Sequence, residues 1–300
     1  MGKSKLKKAK GWDLLFVIFN GLFMFLFVVI TLYPVINTVA ISFNDGIDAV
    51  RGGIHLWPRV FTTKNYVTVL GKQNIKTAAV VTVTRTVLGT VFSLATNALL
   101  AYIVSRKRFL FKAQVSLFWV ITMYVNGGLV PVLLLYKSLH LTNSFWVYVI
   151  PGMISGFNML VMRTYMQGIP DSLEESAALD GAGHFTIFWK IISPLCLPVY
   201  ATVALFVAVN QWNSWFDAML YNRMKDEYTT LQYELMKLLT SVMQQGGNAN
   251  NMKSVSSGSR VTPVTVRSAA TVITMLPIIC LYPFLQRYFV TGLTIGGVKE

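Results

Sequence analysis

Along this chain the apolar residues neither alternate nor keep to one helical stripe. They run on in long blocks separated by short polar segments, and a helix needs ~20 such residues to cross the hydrocarbon core of a bilayer. Blocks of that length predict spans at Leu14–Ile36, Thr77–Val104, Val115–Tyr136, Phe145–Gln167, Leu197–Leu220 and Ser268–Phe289. The expected fold class is therefore an all-α integral membrane protein with six transmembrane helices. Its parts are a basic tail 1–13, a first span 14–36, an external loop 37–76, a core 77–290 and a tail 291–300. Lys3, Lys5, Lys7, Lys8 and Lys10 precede the first span. That apolar run exceeds the ~7–15 residues of a signal-peptide core, so it reads as an uncleaved span.

Composition closes off the soluble classes. Hydrophobic residues make up 54 % of the 300 residues and charged ones 13 %, about half the ~25 % of soluble domains. A net charge of +14 would suit a nucleic-acid binder, but the basic residues are spread over every loop, which fits a membrane surface better. No nucleic-acid partner is expected. The Lys-rich start and the short loop with Arg106, Lys107, Arg108 and Lys112 obey the positive-inside rule if both termini are cytoplasmic. Two larger segments, about Asn37–Lys76 and Tyr221–Arg267, then lie outside. The second carries an amphipathic stretch (Leu231, Leu235, Leu238, Leu239) and a Gln244–Asn251 tract.

Chemistry is sparse. Cys196 and Cys280 sit in apolar runs, and His55, His140 and His184 are far apart, so no metal site is expected. There is no GxxxxGK[ST]; Gly292 to Gly297 is followed by Val298, so the chain lacks a phosphate cradle and should have no ATPase site or cofactor of its own.

The loop 168–195 is of a different kind. Pro170, Asp171 and Ser172 start a helix, with Ser172 and Glu175 at capping-box spacing. Asp171, Glu174 and Glu175 occupy its first turn, where the helix dipole favours negative charge. Ala177 and Ala178 keep it slim, and Asp180-Gly181-Ala182-Gly183 breaks it. A second short helix, with Phe185, Phe188, Trp189 and Ile192 on one face, is expected to stop at Pro194 and Pro198. Such a helix pair can plug into a groove on another protein or lie on the lipid surface.

Glu174-Glu175-Ser176-Ala177-Ala178-Leu179-Asp180-Gly181-Ala182 resembles the "EAA" loop of bacterial ABC importer permeases, with Ser176 where an alanine of the name usually stands. Trp212-Asn213, the Pro283–Phe289 run, Gly127-Gly128-Leu129-Val130-Pro131 and the ending Gly292–Lys299 are similar to the maltose-type carbohydrate permeases, most of all the branch handling oligosaccharides and polysaccharide fragments. The resemblance runs from about residue 75 onward. It implies an ABC type I importer permease architecture, with Glu174, Glu175, Ala178, Asp180, Gly181, Ala182 and Gly183 docking on an ATPase subunit. It also implies that Gly292, Gly296 and Gly297 reach the ATPase interface. The implied partners are a second homologous permease, two nucleotide-binding subunits holding ATP and Mg, and an external sugar-binding protein. The implied location is the bacterial cytoplasmic membrane.

Span five carries Asn210, Gln211, Trp212, Asn213 and Trp215 towards its outer end, with Asp217 beyond. Indole faces and amides suit sugars, and amides at membrane depth are costly unless they face protein or water. An interfacial aromatic belt would look the same. Tyr124 and Asn126, beside Gly127, Gly128 and Pro131, form a second cluster where a broken helix lines a cavity or merely kinks, and Asn158 is a third candidate. Arg85, within a span, either snorkels outward or pairs with Asp217. Two other classes compete. An ion-coupled transporter would need a carboxylate or His relay that only Asp217 could begin, and a membrane enzyme would need a nucleophile–base pair. The same ABC machinery with a non-sugar cargo is the nearest alternative.

Overall fold

The structure, a computed structural model, describes residues 11–246 and 261–297. The Lys-rich start, the end of the Gln244–Asn251 tract and residues 298–300 lie outside the described residues. Helices carry the fold, and the strand-like pairing among the described residues is one isolated antiparallel bridge, Asn44 to Phe61. Two compact units are present, one of Met1–Val69 with Leu238–Ile273, the other of Leu70–Lys237 with Thr274–Glu300.

The smaller unit is built on α1 (Gly11–Ser42), whose side chains from Asp13 to Val35 are all exposed. An apolar helix exposed all round is a span meant for lipid or for another protein. The segment expected as loop 37–76 is ordered. It holds α2 (Gly46–Val50) and α3 (Lys64–Gly71), and α1 itself runs on to Ser42. The turn between them is pinned by buried amides: Asn65 Nδ2 donates to the carbonyls of Ser42 (2.8 Å) and Asn44 (2.9 Å), and the Val60 N–H donates to Asn44 Oδ1 (2.9 Å). Asp48 pairs with Arg59 at 3.0 Å.

The larger unit is organised on α4 (Gln73–Ser105), an unbroken helix of 33 residues. At 1.5 Å per residue it is about 50 Å long, against a hydrocarbon core of ~30 Å. One face of α4 is small or polar and buried, including Ala78, Gly89, Ser93, Asn97, Ala98 and Ala101, which lets other helices approach closely. Later spans are not continuous rods. α5 (Lys112–Tyr124) and α6 (Leu129–Ser138) meet at 114°, and the 3₁₀ turns Phe145–Tyr148 and Ile150–Gly152 meet α7 (Gly156–Gln167) at 44°. Then come α8 (Asp171–Leu179), α9 (His184–Ile187), a π turn Phe188–Ile192 and α10 (Ser193–Leu195). This last stretch joins α11 (Leu197–Asn213) with an 80° bend. The helices α12 (Phe216–Tyr221), α13 (Leu231–Gly246) and α14 (Pro263–Gly297) complete the chain.

Three described helices are long and apolar enough to cross a membrane, or up to six if each bent pair is one span. The second short helix ends at Leu195, between Pro194 and Pro198, where a stop is expected. Two sequence expectations are corrected here. The expected fifth span, Leu197–Leu220, is interrupted at Ser214 and Trp215. The expected tail 291–300 is helical as far as Gly297, so Gly292, Gly296 and Gly297 lie within α14. The core of this unit packs Met159, Met162 and Met166 of α7 with Ile187, Phe188, Ile192 and Val203 against Ala98 and Ala101.

Candidate functional site

Local backbone chemistry shapes the 168–195 segment. α8 starts at Asp171 with Pro170 at its cap position and without a side-chain cap, so Ser172 is not the cap its spacing suggests. Its end is a Schellman closure: the Ala182 N–H donates to the Ala177 carbonyl (2.9 Å) and the Gly181 N–H to that of Ala178 (3.1 Å). Gly181 takes φ +82°, a conformation that glycine adopts freely, and open space surrounds the point where a Cβ would stand.

The two neighbouring glutamates part company. Glu174 turns inward, its Oε2 ion-paired with Arg106 and its Oε1 3.4 Å from the Tyr102 hydroxyl, which donates to it. Glu175 is exposed, as are Ala178, Asp180, Gly181 and Gly183, while Ala182 is half-buried. Asp171 pairs with Lys107 at the surface. The hydrogen bond between them holds the Asp171 carboxyl below its ordinary value and the Lys107 ammonium above its own. Past Gly181, Ile187, Phe188 and Ile192 are buried, while Phe185 (71 % exposed) and Trp189 (66 %) are left in the open, as is Leu179 (89 %) just before it.

A second polar centre lies within the larger unit. Arg85 is 2 % exposed and uses its whole guanidinium. It donates to Gln211 Oε1 from Nε (3.0 Å) and Nη2 (2.9 Å), and to Asp217 from Nη2 (2.5 Å) and Nη1 (3.2 Å). Its carbon centre stands 4.2 Å from the centroid of the Tyr148 ring. Gln211 closes the last turn of α11 and Asp217 opens α12, so one cation holds both sides of the interruption at 214–215. The pairing with Asp217 decides the alternative left open for Arg85. Gln211 also donates to the Tyr148 carbonyl (3.0 Å), and a Cβ on Gly89 would come within 2.6 Å of its amide nitrogen. Trp212 is buried with its indole N–H on the Thr274 carbonyl (2.9 Å). Of the candidates in span five, then, Gln211 and Trp212 are engaged inside the chain. Asn210 and Asn213 are exposed, Asn213 accepting from Gln232 at 3.0 Å, and Trp215 is half-buried.

Two further bends differ in how they are closed. At 153–155, Asn97 of α4 donates to the Met153 carbonyl (2.9 Å) and accepts from the Ser155 N–H (3.0 Å), and Thr96 also donates to that carbonyl. Neither residue figured among the sequence candidates; Asn97 is a mid-span amide, the signal that selected Asn210. Asn158 is buried in the same region. At 125–128 nothing comparable occurs. Gly128 takes φ +85°, Asn126 Oδ1 accepts the Gly128 N–H (2.9 Å), and residues 121–131 are all exposed, Tyr124 by 83 %. Beside Trp212 lies a mostly apolar cavity of about 420 Å³ lined by Val83, Thr86, Val87, Thr90, Val209 and Pro277.

Known proteins extend these observations. A family profile described as "Binding-protein-dependent transport system inner membrane component" matches residues 12–295. The polygalacturonan/rhamnogalacturonan transport system permease protein YtcP of Bacillus subtilis is 34 % identical over 278 residues, 92 % of this chain and 96 % of that one. The arabinooligosaccharides transport system permease protein AraQ of Halalkalibacterium halodurans is 28 % identical over 277 residues, 90 % of this chain and 92 % of the relative. Among solved structures, a chain of a bacterial ABC transporter involved in the import of the acidic polysaccharide alginate superimposes with a TM-score of 0.86 at 28 % identity, covering 94 % of this chain and 99 % of that one.

Proposed function

The chain belongs to the binding-protein-dependent transport system inner membrane components, and on that premise we propose that it is the transmembrane subunit of an ATP-driven importer of oligosaccharides, with both termini in the cytoplasm. It works beside a second permease, receives cargo from an external sugar-binding protein and draws on ATP and Mg held by two partner ATPase subunits. The cargo class rests on relatives whose names specify polygalacturonan, rhamnogalacturonan and arabinooligosaccharides and on the alginate importer.

The observation that carries the mechanism is the shape of 168–195. A short helix ends at a glycine in the left-handed region, and beyond it Phe185 and Trp189 stand exposed above a buried face. Large apolar side chains held at that exposure on a rigid base suit a groove on another protein, and here that is the ATPase subunit. Glu175, Leu179, Asp180, Phe185 and Trp189 then face the partner. ATP-driven closure of the ATPase pair moves this segment, and the spans alternate between outward- and inward-facing states.

The route for cargo follows from the open bend at 125–128. Irregular backbone at membrane depth is tolerated only where protein covers it or water reaches it. Among the described residues the breaks at 153–155 and 214–215 are closed by side chains from α4 and this one is not, so Tyr124, Asn126, Asn210 and Asn213 supply the ring face and amides that a sugar needs. Gln211, Trp212 and Asn158 support those positions from within.

The test is uptake of labelled oligosaccharides by proteoliposomes holding the chain, its partner permease, the ATPase and the binding protein. ATP-dependent accumulation is expected, and uptake driven by a proton or sodium gradient without ATP would overturn the reading. In the same system Gly181→Val forces a side chain into a left-handed backbone, at a cost of about 1–2 kcal/mol. Membrane insertion should survive and uptake should fall, while normal uptake would remove the docking role.

A further inference from the structure

The first turn of α8 does not hang from its own chain alone. Tyr102, Ser105, Arg106 and Lys107, at one end of α4, grip it through several contacts. Arg106 Nη1 pairs with Glu174 Oε2, and these two side chains are 13 % and 20 % exposed, so the pair is sheltered from water. The Arg106 guanidinium is aimed by Ser105 Oγ, which accepts from its Nε at 3.0 Å, and rests 4.9 Å from the centroid of the Tyr102 ring. The Tyr102 hydroxyl lies 3.4 Å from both Glu174 Oε1 and the His184 carbonyl, and its ring packs on Phe188 at 5.1 Å between centroids. One short patch of α4 thus holds the segment on both sides of Gly181. Lys107 adds a surface pair with Asp171.

Three mechanical paths lead from α8 to the membrane interior. One runs back through residues 168–170 into α7, and another runs forward past Gly181, a π turn and an 80° bend before reaching α11. The third passes from Glu174 to Arg106 and into α4, which is unbroken. Farther along α4, Asn97 holds the bend at 153–155 and Arg85 holds both sides of the interruption at 214–215. A displacement of α8 therefore reaches two of the interior breaks through one stiff rod.

We infer that Arg106, with Tyr102 behind it, is a positioning residue that transmits the movement of the docking helix into α4, and that Glu174 serves this internal clamp while Glu175 faces the ATPase. The inference rests on the importer reading. It assigns different work to two adjacent carboxylates that the sequence pattern treats alike.

The test uses the assembled complex in proteoliposomes, with Asn126→Cys in a Cys280→Ser background as reporter. Labelling of that cysteine by a water-soluble maleimide is followed with and without vanadate trapping of nucleotide, and ATP hydrolysis is measured in parallel. With Arg106 intact, trapping should change the labelling rate. Arg106→Gln should keep ATP hydrolysis and lose most of that change, Arg106→Lys should recover part of it, and Arg106→Glu with Glu174→Arg should recover more. A change undiminished in Arg106→Gln would overturn the clamp. If Arg106→Gln fails to assemble with the ATPase, recovery of assembly by the charge swap supports the clamp and its absence overturns it. If the unsubstituted complex hydrolyses no ATP or shows no nucleotide-dependent change, the importer reading falls instead.

Discussion

The bends at 153–155 and at 125–128 arise in the same way, a few residues of irregular backbone between two apolar helical pieces, yet the molecule treats them oppositely. At the first, α4 supplies an amide and a hydroxyl to the freed backbone groups. At the second, the described residues supply local contacts alone, the Asn126–Gly128 hydrogen bond and the helix-end bonds from the Val125 N–H to Ile121 and the Val132 N–H to Gly128. An unpaired backbone group in hydrocarbon costs several kcal/mol, about the margin on which a fold survives. A bend closed from within is part of the scaffold, and a bend left open is kept for water, cargo or a partner chain.

Asp217→Asn should produce the largest effect. It would leave Arg85 charged and buried without its counter-ion, at a cost of ~3–5 kcal/mol. The melting transition of the purified chain in detergent should drop sharply, and an apolar pair at positions 85 and 217 should recover much of the loss. An Asp217→Asn chain that melts like the unsubstituted one would remove the interruption at 214–215 from the closed class. Next comes Asn97→Leu, which orphans the Ser155 N–H and weakens the hold on Met153, at ~1–3 kcal/mol for each group left unpaired. Its melting transition should drop by less than that of Asp217→Asn and by more than that of either substitution at 124 or 126.

Tyr124→Ala and Asn126→Ala test the other half of the contrast. Both side chains are exposed, so melting should move by no more than ~0.5 kcal/mol, while oligosaccharide uptake should fall several-fold. Stability loss without uptake loss would mean that the bend at 125–128 is closed by something else and carries no cargo. The smallest effect concerns Lys107 and Asp171. The Asp171 carboxyl is held below its ordinary 3.8 and the Lys107 ammonium above its ordinary 10.5. The contribution of Asp171 is present above 3.8 and fades as pH falls through its lowered value; that of Lys107 is complete below 10.5 and fades as pH rises through its raised one. Melting measured from pH 5 to 9 should therefore differ by a constant amount between the unsubstituted chain and Lys107→Ala, the two curves converging only at the extremes.

Much of the architecture was legible in the residues. Apolar runs gave the stretches where the long helices form, and Asp180-Gly181 gave the end of α8. The amphipathic leucines from Leu231 lie in α13. Where the reading went astray, a local signal was overruled by a local fact. Ser172 has capping spacing, but the chain enters the helix two residues earlier, behind Pro170. The substrate candidates fared differently. Asn210 and Gln211 are adjacent amides in the same span, and one is exposed while the other is locked to Arg85 and the Tyr148 carbonyl.

The sequence by itself determined that this is a helical membrane protein and that one loop carries an acidic helix ended by glycine. Those properties depend on hydropathy summed over ~20 neighbours and on backbone preferences of single residues, which any stretch of chain expresses locally. Only the tertiary structure decided that Arg85 meets Asp217, 132 residues away, that Glu174 turns inward while Glu175 does not, and that one bend is closed and another open. These depend on which polar group the packing brings within about 3 Å of another. No local pattern encodes that distance, because it is set by how the helices pack against α4.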